Sequence, residues 1–592
     1  MKSPIPKIPW QITGNHWVTV PCIHPADASI HAIGAVHAGT RSAVEFAGGP
    51  DFLNGTEPAL MRLTVSVNGT RVQLGSEGIA WERESGWIPT FNCRVGSLTI
   101  RGVICAPHGK SGDVQGFVIS VGVENRGDSE ADLRIGLEGI LGHRHLRVRT
   151  PRACKDEHTA ADVGDVIILE GADTATPMAI AIGADGVTEH SIDRDSASWT
   201  METSIAVAAG ATHETAFHIA VGSEQDGAAG ALRSMRRRGS KALIASTRST
   251  LREMEPATGS AAADRLIARH VFFAYFCSVA RALDESHWYV VRSRMPWNGR
   301  GMTITDWEAL MWVLPAIQLI DHGLAREILL RVCELHGYAP GSGVHYLDGS
   351  VFEPGFSLEG AGAYAIAVDA YIVQTSDDKI VEEPILADSL YGSQEDIEAR
   401  RHPQHPLFST EINPDGSVPD HPYTTHGNAV AALALDILRH TLDEKTSEKV
   451  QDPAAVRAAL LRQLSQNPAG KSTFATSADL AGAFSTADYP SASLYWIPNY
   501  DLISRDDSSY RRTVKPLSAI EPEDLVVRCA RMLGPSGAEA IEWMRRAPLN
   551  GGIAAEFVDA DGVARANGGD AALSGLIAYT LWYAVNALGL KV

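Results

Sequence analysis

"RSMRRRGSKALIASTRSTLREME", residues 233–255, is where the period of the chain changes. Before it, apolar residues recur at every second position; after it, at every third or fourth. The stretch itself is basic, polar and compatible with a helix, as a connector between two differently built halves would be. The chain therefore divides into an antiparallel β-sandwich domain over 1–225, a linker helix over 226–259 and a helical domain over 260–592. The arginine run could mark a nucleic-acid patch, but a solvated helix face suits the acidic total better.

Upstream, "LTVSVNGTRVQL" (63–74) alternates Leu63, Val65 and Val67 with polar residues, turns at Asn68-Gly69 and resumes with Val72 and Leu74. That is a hairpin signature. "GFVISVGVEN" puts Phe117, Ile119, Val121 and Val123 on one face, and "LRIGLEG" does the same with Leu133, Ile135 and Leu137. "HETAFHIAVG" sets Thr215, Phe217, Ile219 and Val221 against Ala216, His218 and Ala220. Many short strands separated by Gly, Asn and Asp predict a sandwich.

Downstream, "GLAREILLRVCELHG" places Leu324, Ile328, Val332 and Leu335 on one helix face and ends on Gly337, a C-cap signal. Further helices are expected to start near 262, 304, 358, 425, 452, 521, 536 and 570, with long loops over 338–357, 400–424 and 485–520. About a dozen helices in hairpin pairs predict an (α/α)6 toroid. Loops of that length inside a helical domain usually carry function.

A chain of 592 residues exceeds what one core needs. Its formal charge of −20 argues against nucleic acid or an anionic membrane as partner, while neutral sugars meet no such barrier. Seven scattered cysteines, without C-x-x-C, support neither a disulfide framework nor a zinc ribbon. The histidine pairs in "GHRHL" and "HPQHP" lack zinc spacing and no H-E-x-x-H occurs, so neither metal nor other cofactor is expected. The first residues lack an apolar signal core, so a cytoplasmic protein is expected, monomeric or oligomeric.

The long loops are rich in aromatic and polar side chains. They supply Trp297, Arg300, Asp306, Trp307, Glu353, His426, Trp496, Tyr500 and Asp501 as candidate substrate-binding residues. Trp and Tyr faces stack on sugar rings, and Asp, Arg and His bridge vicinal hydroxyls, so an oligosaccharide or glycoside is the expected partner. Glycosidic cleavage needs two carboxyl groups, one protonated for the leaving oxygen and one ionised to activate water. Glu359 opens the small-residue helix "LEGAGAYAIAVDAYI", and Glu556 sits where an apolar stretch breaks before the last helix. Each has a plainer reading, as a helix N-terminal residue and as a turn residue.

"AAEFVDADGVARANGGDAALSGLIAYTLWYA" (554–584) resembles the C-terminal segment of glucoamylases and of the glucosidase half of glycogen debranching enzymes. There a Glu before an acidic turn is the general base, which implies Glu556. "MPWNGRGMTITDWEALMWVLPAI" (295–317) resembles the debranching stretch whose Asp-Trp pair holds the innermost sugar, implying Asp306 and Trp307. "LEGAGAYAIAVDAYI" is similar to the segment that carries the general acid, implying Glu359, with Glu353 in reserve because glucoamylases place their acid about three residues earlier. The Gly-Arg-Asp of the debranching stretch is replaced by Glu308-Ala309-Leu310. The resemblance implies a toroidal, inverting, exo-acting glycoside hydrolase on α-linked glucosides or related neutral oligosaccharides, its sandwich narrowing the active-site mouth. A polysaccharide lyase, a disaccharide phosphorylase and a non-catalytic carbohydrate-binding protein remain as alternatives.

Among minor motifs, "VDADGV" shares Asp559, Asp561 and Gly562 with a calcium loop but lacks the remaining ligands, so a plain turn is expected. Asp506 and Asp507, followed by Arg511-Arg512, suit a surface ion-pair patch.

Overall fold

The alternating half forms strands where the pattern requires them. The computed structural model describes residues 2–591, apart from 56–57, 111–112, 155–156, 172–175, 187, 467–470 and 519–521. Asn68 and Gly69 both take positive φ, 49° and 77°, and join strands Arg62–Val67 and Thr70–Val72 as the sequence predicts. In the strand Ala131–Ile140, Leu133, Ile135 and Leu137 are buried while Asp132 and Arg134 face solvent. The strands form three antiparallel sheets, of six, eight and five strands, around one apolar core.

From Thr215 onward the strand Thr212–Gly222 is buried on both faces. Phe217, Ile219 and Val221 point into the sandwich core. Ala216 and Ala220 lie instead with Ala228, Leu232 and Met235 of the first helix in a second core. The connector is two helices, α1 (Gln225–Arg238) and α2 (Ser240–Glu253), broken at Gly239, whose φ of 84° a helix cannot accept. Arg236, Arg237 and Arg238 fall in the last turn of α1, where cations suit the exposed carbonyls, and Arg236 pairs with Asp165.

The second half contains α3 (Ala261–Cys277), α4 (Leu314–Gln318), α5 (His322–His336), α6 (Leu358–Thr375), α7 (Pro384–Ala399), α8 (Thr425–Thr441), α9 (Glu444–Ser447), α10 (Pro453–Gln463), α11 (Ser508–Ser518), α12 (Leu525–Met532), α13 (Gly537–Arg546) and α14 (Ala571–Asn586). The helix expected near 304 starts later: Ile304 and Thr305 pair with His345 and Val344, and helical turns begin at Glu308 and run into α4. The expected loop 485–520 is largely helical, with short turns over Pro490–Ala492 and Leu494–Tyr500 followed by α11. Gly337 ends α5 at an ordinary φ of −70°; a side chain there would strike Ser389 of α7.

Six segments pack each on the next and the last on the first: 308–318, α6, α8, 494–500, α12 and α14. Helices α3, α5, α7, α10, α11 and α13 lie against this set. Four of these, 308–318, α6, α8 and α14, run in one direction, with Gln374 near the end of α6 donating to the carbonyl of Gln318 at the end of 308–318. A Cβ on Gly427 would meet Glu359, and one on Gly362 would meet Val430, so α6 and α8 are parallel. Gly575 lies on the backbone of Trp312, while Asp570 and Glu308 share Arg292, so α14 and 308–318 are parallel too. Ser357, Thr424 and Asp570 cap α6, α8 and α14 by accepting from backbone N–H groups. These capped ends gather the site.

Candidate active site

Glu556 lies on the strand Ala555–Val558, which pairs with Ala564–Gly568 just ahead of α14. Val563 N–H donates to Asp559 Oδ1 in the intervening turn, so "VDADGV" is the plain turn expected. The turn holds Glu556 6% exposed, with both carboxylate oxygens engaged. Arg300 Nη2 donates to Oε1 at 3.1 Å and Asn567 Nδ2 donates to Oε2. Burial alone would raise its pKa, but Arg300, Arg292 and Asn567 outweigh burial and hold the carboxyl below the ordinary glutamate value. Arg300 also donates to the Asp415 carbonyl, at 3.1 Å. Beside it, buried Arg292 donates to both oxygens of Asp570 (2.7–2.9 Å) and to Glu308, and its guanidinium lies 4.7 Å from the Trp312 ring centre. Trp297 belongs to the same end: with the Asn550 amide turned to satisfy its neighbours, Asn550 accepts from Trp297 Nε1 at 3.0 Å.

Glu359 sits in the first turn of α6, without solvent exposure. Its Oε1 lies 3.0 Å from His426 Nδ1, at the start of α8. Glu359 Oε2 and His426 Nε2 are buried without partners. Trp307 and Tyr500 pack edge-on around the imidazole, with ring centres 5.6 and 5.2 Å away. Glu359 and Glu556 therefore lie at the same end of the parallel segments.

Asp306 is 2% exposed, and both its oxygens face protein groups. Gly341 N–H donates to Oδ2 at 2.7 Å, and Oδ1 is 3.0 Å from His336 Nδ1 and 3.3 Å from His345 Nε2. Burial opposes charge on Asp306, but the two histidines overcome it and hold the carboxyl well below its usual range. His345 is raised despite its burial by Asp306 and by the Gly349 carbonyl, whereas His336 is lowered by burial and by His345. The three ligand atoms lie within 4.8 Å of one another, the reach of a metal ion. The imidazoles stack at 4.3 Å and 19°, and only His336 hydrogen-bonds to Asp306, since His345 Nε2 lies close to the carboxylate without a hydrogen bond.

The remaining candidates separate. Glu353 is half-exposed in a bidentate pair with Arg149 of the sandwich, at 2.7 and 3.1 Å, a direct contact between the two halves near the site. Trp496 lines a cavity on the far side of Trp307 and Tyr500. Asp501 is exposed and ends the 494–500 turns in a left-handed conformation, φ 51°. Asp506 pairs with Arg511 at the surface.

Three acidic residues that the sequence reading passed over join the site. Asp524 caps α12 and its backbone bridges to Phe557, next to Glu556; burial and the Glu556 charge push its carboxyl up to about 8. Asp415 stands beside Arg300 through its carbonyl. Asp488 is pushed up to about 6 by burial, with Oδ1 unpartnered. Before α12, Asp524 reads as an ordinary N-cap, and only the tertiary fold brings it to Glu556.

No protein-family model and no curated protein sequence matches the chain. Solved structures do match. A bacterial glucoamylase complexed with acarbose superposes with a TM-score of 0.62 at 10% identity, covering 100% of this chain and 95% of that one. A protein from the human microbiome assigned as a kojibiose phosphorylase gives 0.60 at 10% identity, covering 97% and 86%. At such identity the likeness is one of fold: antiparallel sheets followed by a helical half, shared over the whole chain.

Proposed function

We propose that the six segments and their outer helices close into an (α/α)6 toroid that cleaves glycosidic bonds, with Glu556 as general base. The observation that carries this reading is the state of Glu556. It is a nearly buried carboxylate kept ionised by Arg300 and Asn567, beside an Asp524 carboxyl pushed the other way. A buried carboxylate held in its charged form beside a guanidinium is what a general base in acetal cleavage needs. The fold likeness to a glucoamylase and a kojibiose phosphorylase supports α-linked glucosides or related neutral oligosaccharides as substrate, attacked from the non-reducing end.

In the proposed reaction Glu359 protonates the departing oxygen, and His426 Nδ1–H orients its carboxyl. Glu556 takes a proton from the water that attacks the opposite ring face, so the anomeric centre inverts. Trp307 and Tyr500 wall the innermost subsite, and Trp297 and Arg300 border it. Asp306 acts one step back, fixing the chain at Gly341 directly through that residue's N–H. Arg149 and Glu353 draw the sandwich to the mouth.

Phosphorolysis is the second reading, and the partly exposed Arg300 guanidinium next to Glu556 favours it, because phosphate needs such a cation. A glycoside panel assayed with and without inorganic phosphate separates the two. Hydrolysis proceeds without phosphate, and phosphorolysis stops without it. Absence of cleavage in both arms refutes the proposed function.

A further inference from the structure

The parallel segments enclose a second space at the end opposite Glu359 and Glu556. It is a cavity of about 490 Å³, within the range of sites for drug-sized molecules. Its walls come from the later turns of 308–318, α6 and α14 and from 494–500: Trp312, Ile366, Trp496, Leu576, Tyr579 and Trp582. Its mouth opens at Val373, 76% exposed, beside Gln374. Trp307 and Tyr500 line it as well, and both rings also pack against His426.

The chemistry of the lining selects an occupant. Among the described residues no Asp, Glu, Lys, Arg or His lines the cavity, so a charged ligand would be desolvated without a counter-ion. A sugar is disfavoured as well, since its many hydroxyls would face mostly apolar side chains. Trp and Tyr walls suit a flat ring system, as offset or edge contacts between rings stabilise beyond simple burial. Three wall residues retain buried polar atoms without partners: Gln318 Nε2, Thr580 Oγ1 and Ser491 Oγ.

We infer that this cavity is a binding site for a neutral, flat, mainly aromatic small molecule, distinct from the Glu359–Glu556 end. The inference rests on the cavity alone and stands whether or not the chain cleaves glycosides. It is tested by titrating the intact protein with N-phenyl-1-naphthylamine, an uncharged aromatic fluorophore, and following energy transfer from tryptophan. Saturable binding at one site per chain is expected. The variants Ala370→Trp and Val373→Trp place a ring at the mouth from exposed helix positions, where folding is tolerant, and circular dichroism checks that each is folded. Each is expected to weaken binding at least tenfold. Absence of saturable binding to the wild type, or unchanged affinity in both folded variants, would overturn the assignment.

Discussion

Arg300 decides how Glu556 behaves. It supplies the nearest cation to a carboxylate that burial would otherwise neutralise. Because the native pKa of Glu556 is depressed, a base at this position is active above that pKa and fails as pH falls through it. Arg300→Met removes the cation, so the acidic limb of the kcat/KM profile is expected to move to higher pH, and Arg300→Lys to restore part of the shift. An unmoved limb in Arg300→Met would show that Glu556 does not limit the rate. The sequence points to Glu556 through a resemblance that spans a turn and a whole helix, and the structure buries it beside Arg300. Its neighbours were not legible in the sequence. Asp524 and Asn567 reach it through a backbone bridge and across a hairpin, contacts that no local pattern encodes. Asp306 was legible as a special residue, but its two histidines, 30 and 39 positions away, were not.

Elements were readable where one face is apolar and the ends are marked. The hairpin at Asn68-Gly69 and helix α6 behind Ser357 stand where the sequence puts them. Helix α7 carries a thin apolar face that alternation of small and charged residues hides, and Pro498 masks the 494–500 turns. The glycines of α14 and α6 are a different matter, since they serve close packing. A Cβ on Gly575 would lie 2.5 Å from the Trp312 carbonyl oxygen, in backbone that cannot rotate away. Gly575→Ala is therefore expected to destabilise the protein by about 1–3 kcal/mol, as overpacked cores do. Chemical denaturation reads this directly, and a neutral or stabilising result would mean that α14 and 308–318 are less tightly apposed.

Across the whole molecule, the three expected parts share one core. Trp10 and Trp87 of the first half cluster with Phe273 and Phe276 of α3, and the Trp87 and Phe276 rings stack at 5.0 Å. Arg294 donates to the carbonyls of Asn15, His16, Trp17 and Phe276, and Arg147 pairs with Glu45 while donating to the Arg294 carbonyl. Residues 260–592 expressed alone would bare this apolar face, and aggregation is expected, whereas the intact chain should unfold in one transition. Two well-separated transitions would show instead that the sandwich and the helical half are independent. Sequence periodicity could not reveal this shared packing, because residues on both sides of the change in period read as ordinary core. The most direct measurement of the central claim follows the anomeric proton of the product by NMR while wild type and Glu556→Gln act on a panel of α-linked glucosides. The account predicts release of the inverted, β-configured sugar by the wild type, and a loss of about 10²–10⁴-fold in rate for Glu556→Gln with substrate binding retained. A retained α-anomer, or cleavage by Glu556→Gln at the wild-type rate, would contradict it.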